Sequence, residues 1–215
     1  MPTSETSLPL CIIGAGGFGR EVLCLYTDIC RHEGKPYEGK VIFAENDAHW
    51  QERSVMGIPV LRLSAVQNQS YIFIIAIGDP RKRAQVAASM PADTQWATLV
   101  HPSVIKSDWV IADEGSIICA GSVLTCNIAL GKHTHINLNT TVGHDVIAGD
   151  YFTTAPGVAI SGNCCFGDCV YIGSNASIRE EIAVADDVII GMGAVVVKNI
   201  TEPGTYASNP ARKIS

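Results

Sequence analysis

Apolar residues in the second half of the chain recur at every sixth position. The series runs Ile118, Leu124, Leu130, Ile136, Val142, Ala148, Thr154, Ile160, Phe166, Ile172, Ile178, Val184, Ile190 and Val196, with Thr154 its single polar member. The residue after each is usually small, as at Gly131, Gly143, Gly149, Ala155, Gly167 and Gly173. The residue two before is small or β-branched, as at Ser116, Thr134, Val146 and Val170. A helix wants a period of 3.6 and a simple strand a period of 2. A period of six fits neither and does fit a β-helix of hexapeptide repeats. Each hexad then supplies one short strand and a corner, and three hexads close one triangular coil. Residues eighteen apart stack, at an inter-strand spacing of about 4.8 Å. The large residue points into the prism. The small one after it is expected to turn the chain, because glycine takes backbone angles that others resist. The stretch Val110–Glu114 reads as one residue too long for this register.

The first half has a different pattern. Leu8–Ile13, Lys40–Phe43, Tyr71–Ile77 and Ala97–Val100 are short apolar runs that read as strands. Between them lie helical stretches, one from Arg20 and one from Arg81 to Met90, the latter opened by Asp79 as cap and Pro80 in the first turn. This alternation predicts a small α/β unit with a parallel sheet. The fold expected is therefore an α/β N-terminal Rossmann-like half-domain followed by an all-β parallel β-helix. The boundaries expected are 1–100 for the α/β domain, 101–200 for the β-helix and 201–215 for a C-terminal tail.

Composition narrows the function classes. Charged residues make up 17% of the 215 and the net charge is −6, which argues against a nucleic-acid binder with its basic patch. No apolar run reaches the length of a membrane span. Met1–Leu10 lacks the basic and apolar regions of a signal peptide, so the expected location is the cytoplasm. Eight cysteines then stand as thiols. None form paired C-x-x-C units, so no metal site is expected, and packing is the ordinary role for such residues.

Two constellations carry chemistry. The first is Gly14-Ala15-Gly16-Gly17-Phe18-Gly19 between a strand and a helix, a context for phosphate binding at a helix N-terminus. The unit has about half the strands of a full dinucleotide fold, so it suits one nucleotide. Glu45, Asn46 or Asp47, past the second strand, fall where base or ribose would lie; the bland alternative is a tight turn without ligand. The second is His144-Asp145. His144 lies two residues after the inward Val142, hence at a corner and facing out. One coil on stands Gly162, which leaves a slot and a bare N–H beside the imidazole. Asp145 can hold the ring in one tautomer, an arrangement suited to general-base catalysis. His32 and His49 lie in polar stretches, His101 at the domain join, His133 at a corner and His135 outward.

The sequence as a whole resembles the bacterial nucleotide-sugar acetyltransferases of the NeuD/PglD/PerB group. The resemblance is carried by IIGAGGFGRE, IAIGDP, NTTVGHDVIAGD, APGVAISGN, YIGSNASI, IIGMGAVV and the final SNPAR, over nearly the whole chain. It implies a left-handed β-helix, a homotrimer, acetyl-CoA as co-substrate and a nucleotide-linked amino sugar as acceptor. It implies His144 as general base with Asp145 beside it, and Asn137 near the acceptor sugar. Gly14, Gly16, Gly17, Glu45 and Asn46 would hold the nucleotide, and Gly162, Ser174 and Met192 would line the acetyl-CoA groove. Phe18 and Thr153 stand where some members carry His, so no imidazole is expected at either place. The activity implied is N-acetylation for a bacterial surface glycan or glycoprotein. O-acetylation of a sugar of the sialic acid type, or a non-enzymatic scaffold, are the competing readings.

Overall fold

The computed structural model describes residues 8–215. Most of the Met1–Leu10 stretch lies outside them. Strand β1 (Leu10–Ile13) leads through the glycine loop into helix α1 (Gly17–His32). Then come β2 (Val41–Glu45), β3 (Arg53–Val55), β4 (Ile58–Arg62), α2 (Leu63–Val66), β5 (Ile72–Ile75) and α3 (Pro80–Ser89). The sheet order is β3-β4-β2-β1-β5, parallel except for the β3–β4 hairpin. That hairpin turns at Met56 (φ 53°) and Gly57 (φ 78°), a pair of left-handed residues that suits the twist of a two-residue hairpin. The sequence reading missed it because Pro59 and charged residues interrupt the apolar pattern. Asp79 caps α3 by accepting from the Lys82 N–H at 3.0 Å.

Ala97–Val100 does not form the expected fourth strand of this sheet. The chain leaves the sheet after one bridge, Phe73 to Trp96. Strand β6 (Leu99–Val100) pairs instead with Ile117–Ile118, eighteen residues on, and so starts the β-helix. The left-handed β-helix has three faces, of six, five and eight strands. Its register is unbroken from the start. Ile111 pairs with Ala129 and Ala112 with Leu130, so Val110–Glu114 carries no extra residue. It looked irregular because the inward positions there are Lys106 and Ala112, too polar and too small to mark the period. All fourteen residues of the apolar series are buried, as are those two before them, so each strand points in, out and in again. Thr154 survives in the core because its hydroxyl accepts from the Asn137 N–H at 3.1 Å and bonds the Thr140 hydroxyl at 3.1 Å.

The turn residue also differs from the expectation. Left-handed φ falls three residues after the inward position, at Gly121, Asn127, His133, Asn139, Asp145, Tyr151 and onward every sixth residue. The small residue directly after the inward position is small for another reason. A Cβ on Gly131 would lie 2.6 Å from the carbonyl carbon of Gly149, so successive coils touch backbone to backbone. Of the eight free cysteines, Cys11, Cys30, Cys119 and Cys164 are buried, whereas Cys24 and Cys165 are exposed.

The α/β unit sits on the eight-stranded face. Arg83 of α3 is fully buried in the seam. Its guanidinium donates to the carbonyls of Ile77 (2.6 Å), His133 (2.9 Å) and Tyr151 (2.7 Å) and to the Thr153 hydroxyl (2.6 Å). His135 points outward from the prism, yet it is buried, because Phe18 of the glycine loop covers it at 5.1 Å. Among the described residues no helix is long and apolar enough to cross a membrane.

Candidate active site

At the glycine loop each glycine answers to a different neighbour. Gly14 has φ +106°, and a Cβ there would stand 3.0 Å from the Ala76 carbonyl oxygen. Gly16 has no atom within 4 Å of such a Cβ, and Gly17 only the tip of Arg20 at 3.9 Å. Those two residues open the N-terminus of α1, which has no side-chain cap, to a group approaching from outside. Beyond β2 the acidic residues already have partners. Glu45 pairs with Arg53 at 2.7 Å, and Asn46 builds a turn by accepting from the Ala48 N–H at 3.0 Å. Asp47 accepts from the Ser64 hydroxyl at 2.5 Å, and that bond holds its carboxyl below the usual range. A cavity of about 470 Å³ runs from Gly17, Arg20 and Cys24 on α1 to Ala120 and Leu138 on the β-helix, with His101 at its side. The sequence reading missed this cavity, because only the docking of the two halves creates it.

The β-helix presents the remaining residues on two corners. Asn137, Ser174 and Met192 share the corner next to that cavity. Asn137 is tied down by its own backbone: its carbonyl accepts from the Ser122 hydroxyl at 3.0 Å, and its side-chain oxygen from the Leu138 N–H at 2.7 Å. Ser174 accepts from the Gly193 N–H at 2.8 Å, and Met192 stands exposed. His144, Asp145 and Gly162 share the next corner. Between Asn137 and His144 lie the turn at Leu138–Asn139 and the strand Thr141–Val142, so the two residues stand at opposite ends of one face of the prism. The face between the corners carries small outward residues: Thr141, Ala159 and Ser177. One chain therefore does not bring the two groups of residues together.

The His144 corner is built by the coil stack. Nδ1 of His144 lies 2.7 Å from Oδ2 of Asp145, and the imidazole is 56% exposed. An ionised carboxylate only accepts, so Nδ1 carries a proton, and in the neutral ring Nε2 presents its lone pair. The bond to His144, and then one from Asn127, hold the Asp145 carboxyl below its ordinary value. A Cβ on Gly162 would fall 2.6 Å from both Cε1 and Nε2 of the ring. The slot expected at Gly162 is thus filled by the imidazole itself, which lies against the bare backbone. Among the described residues the Gly162 N–H has no acceptor.

The other histidines divide by burial. His32 and His49 are exposed. His101 bonds Ser103 at 2.8 Å and approaches Asp28 at 3.3 Å. His133 stacks on Tyr151 at 5.3 Å and meets the edge of Trp96 at 4.6 Å. Burial, helped by nearby Arg83, pushes His133 down to about 4 and lowers His135 well below the ordinary imidazole value. Thr153 lies under the seam as the acceptor of Arg83. Among the described residues no group of three or more His, Cys, Asp or Glu is placed to hold a metal ion.

Comparison with known proteins agrees with this architecture. Residues 9–90 match the PglD N-terminal domain family. A GDP-perosamine N-acetyltransferase of Escherichia coli O157:H7 is 30% identical over 214 residues, covering 94% of this chain and 95% of that protein. The acetyltransferase domain of PglB from Neisseria gonorrhoeae, solved with acetyl coenzyme A, superposes with a TM-score of 0.88 at 30% identity, covering 97% of this chain and all of that one. PerB from Caulobacter crescentus, solved with CoA and GDP-perosamine, gives 0.83 at 25% identity, covering 96% and 97% of the two chains. This chain belongs to the NeuD/PglD/PerB group of hexapeptide-repeat acetyltransferases.

Proposed function

We propose that this protein transfers the acetyl group of acetyl-CoA to the amino group of a nucleotide-linked amino deoxysugar, with His144 as general base. The observation that carries the assignment of the base is the His144 corner: a carboxylate on Nδ1, a free Nε2, and glycine backbone against the ring. A sugar ammonium cannot attack until it loses a proton. One proton goes to solvent as the free amine forms, and His144 Nε2 takes the second as the nitrogen bonds to the thioester carbonyl carbon. The C–S bond then breaks, and the CoA thiolate leaves with a proton returned from the imidazolium. Such a positioned base contributes about 10²–10⁴-fold. The Gly162 N–H is suited to the oxyanion that forms between these steps. The transfer is direct and passes through no acyl-enzyme. Asp145 orients His144.

The nucleotide lies along Gly14, Gly16 and Gly17, with Asn46 and the edge of Glu45 beyond it. The sugar points toward Asn137 through the cavity beside Leu138. Acetyl-CoA runs along Gly162, Ser174 and Met192. These residues lie on two corners, so the complete site needs corners from two copies, and a homotrimer packed along the small-residue face supplies them. The E. coli and Caulobacter relatives are named for GDP-perosamine, which heads the list of acceptors to try. The acceptor class fits a cytoplasmic enzyme that prepares sugars for a bacterial surface glycan or glycoprotein.

The test is acetyl transfer to GDP-, UDP- and dTDP-linked amino sugars, wild type beside His144→Ala. Turnover of one amino sugar, lost in the variant, supports both acceptor class and base. Turnover that survives the variant removes His144 from the role. Turnover only with hydroxyl acceptors overturns N-acetylation. Acetylated protein recovered after incubation with acetyl-CoA alone overturns direct transfer.

A further inference from the structure

The His144–Asp145 pair has a third member, one coil below it. Asn127 stands eighteen residues before Asp145, at the stacked position of the preceding coil. Its side-chain amide donates to Oδ1 of Asp145 at 3.1 Å, while Oδ2 of the same carboxylate faces His144 Nδ1 at 2.7 Å. The two oxygens are thus held from opposite sides. Asp145 is nearly half exposed, and a carboxylate in that setting rotates unless both oxygens are engaged. The Asp145 backbone is anchored to the same coil, its N–H donating to the Cys126 carbonyl at 3.1 Å.

We propose that Asn127 is a positioning residue of the reaction: it fixes the rotation of the Asp145 carboxylate, and through it the tautomer and tilt of the His144 ring. The inference rests on the assignment of His144 as base. It assigns a role to a residue in no motif of the chain, at a place only the coil stacking defines.

A blander account of Asn127 exists and makes a different prediction. Its φ is +53°, and Asn is among the residues that tolerate this region best. Asn139, Asn163 and Asn175 occupy the equivalent left-handed position elsewhere in the repeat. If backbone conformation alone selects Asn127, glycine serves as well or better, since it adopts positive φ without cost. If the amide holds Asp145, glycine fails. The other titratable groups stacked on this corner are Asp108 and Cys126 below His144, and Arg179, Glu180, Glu181 and Lys198 above it. None of these donates a hydrogen bond to Asp145, so they do not replace the amide.

The experiment compares Asn127→Gly and Asn127→Asp with the wild-type chain. The Asp145 carboxyl and the His144 imidazole are titrated by NMR in the resting protein, and steady-state acetyl transfer is followed against pH. We expect Asn127→Gly to keep its unfolding midpoint and raise the Asp145 titration. It should mix the His144 tautomers and lower kcat about 3- to 10-fold at unchanged KM for acetyl-CoA. Asn127→Asp should set a second carboxylate against Asp145 and move the acid limb of kcat/KM to higher pH. An Asn127→Gly protein with unmoved titrations and a single Nδ1–H tautomer overturns the proposal, whatever its activity. The NMR reading does not depend on turnover. It separates this outcome from failure of the base assignment, in which His144→Ala retains activity.

Discussion

His133 and His144 lie two hexads apart in one β-helix, each at a coil corner, and they have opposite characters. His133 is itself a left-handed corner residue, and His144 immediately precedes one. His133 is covered by Trp96, packed on Tyr151 and held neutral by burial. His144 faces water, with a carboxylate at one nitrogen and bare glycine backbone along the ring. The repeat sets where each side chain points, and the neighbouring layer sets what it can do. The eight-stranded face is covered by the α/β unit, so its histidines became seam packing. The His144 corner is left open, so its imidazole keeps the exposure that proton transfer requires.

The contrast can be broken in steps. The largest effect belongs to the open corner. His144→Ala should lower kcat about 10²–10⁴-fold, roughly 3–5 kcal/mol of barrier, while leaving the thermal midpoint unchanged. A large fall in the midpoint would mean that His144 is structural like His133.

The next effect belongs to the seam. Arg83→Met removes a buried charge, whose desolvation opposes folding, but strands the carbonyls of Ile77 and His133, while the Thr153 hydroxyl and the Tyr151 carbonyl keep their mutual bond. Each stranded buried acceptor costs about 1–3 kcal/mol, and relief of the desolvated charge offsets part of the sum. A net loss of roughly 3 kcal/mol should appear in urea unfolding. Unchanged stability would show that the desolvation cost cancels those bonds.

Acid provides a third probe. His133 is pushed down to about 4 in the folded chain, against about 6.5 when unfolded. Between those values the unfolded chain binds more protons, so the contribution is fully present above about pH 6.5 and is lost as pH falls toward 4. With the ring buried, His133 should account for roughly 2–3 kcal/mol of this loss. His133→Gln should flatten the pH dependence of unfolding in that window; an unchanged slope would place the acid sensitivity elsewhere. The smallest effect returns to the open corner. An added Cβ in Gly162→Ala must displace the imidazole or the coil, and a fall of about 10-fold in kcat, roughly 1.4 kcal/mol, is expected without loss of stability. Wild-type turnover would show that the ring is free to move aside.

Legibility followed the length of the pattern. The β-helix was readable because a period of six over fourteen positions admits one architecture, and counting by eighteen then predicts every stacked pair. Gly162 beside His144 was found by that count, and Asn127 beneath Asp145 was available to it as well. The hexad by itself did not show which position turns the chain. Glycine after the inward residue looks like a turn signal, and only the folded structure distinguishes close approach of coils from positive φ. Lys106 and Ala112 hid the first coil, because the register there is kept by backbone pairing without large apolar residues.

Two things the sequence determined alone: a prism whose inward positions are apolar at every sixth residue, and a histidine–aspartate corner facing out of it. Both follow from local chain geometry, which the repeat enforces residue by residue. The tertiary structure decided the rest. Arg83 sits in a basic helical turn, Pro80-Arg81-Lys82-Arg83, that reads as solvated. It is buried because Nε and Nη2 meet the carbonyls of His133 and Tyr151 and the Thr153 hydroxyl, fifty to seventy residues away, while Nη1 meets the Ile77 carbonyl of its own unit. The cavity beside Leu138 and the burial of His135 exist only once the two halves dock. Contacts of that kind depend on which surfaces meet, and no local pattern in either half encodes that meeting.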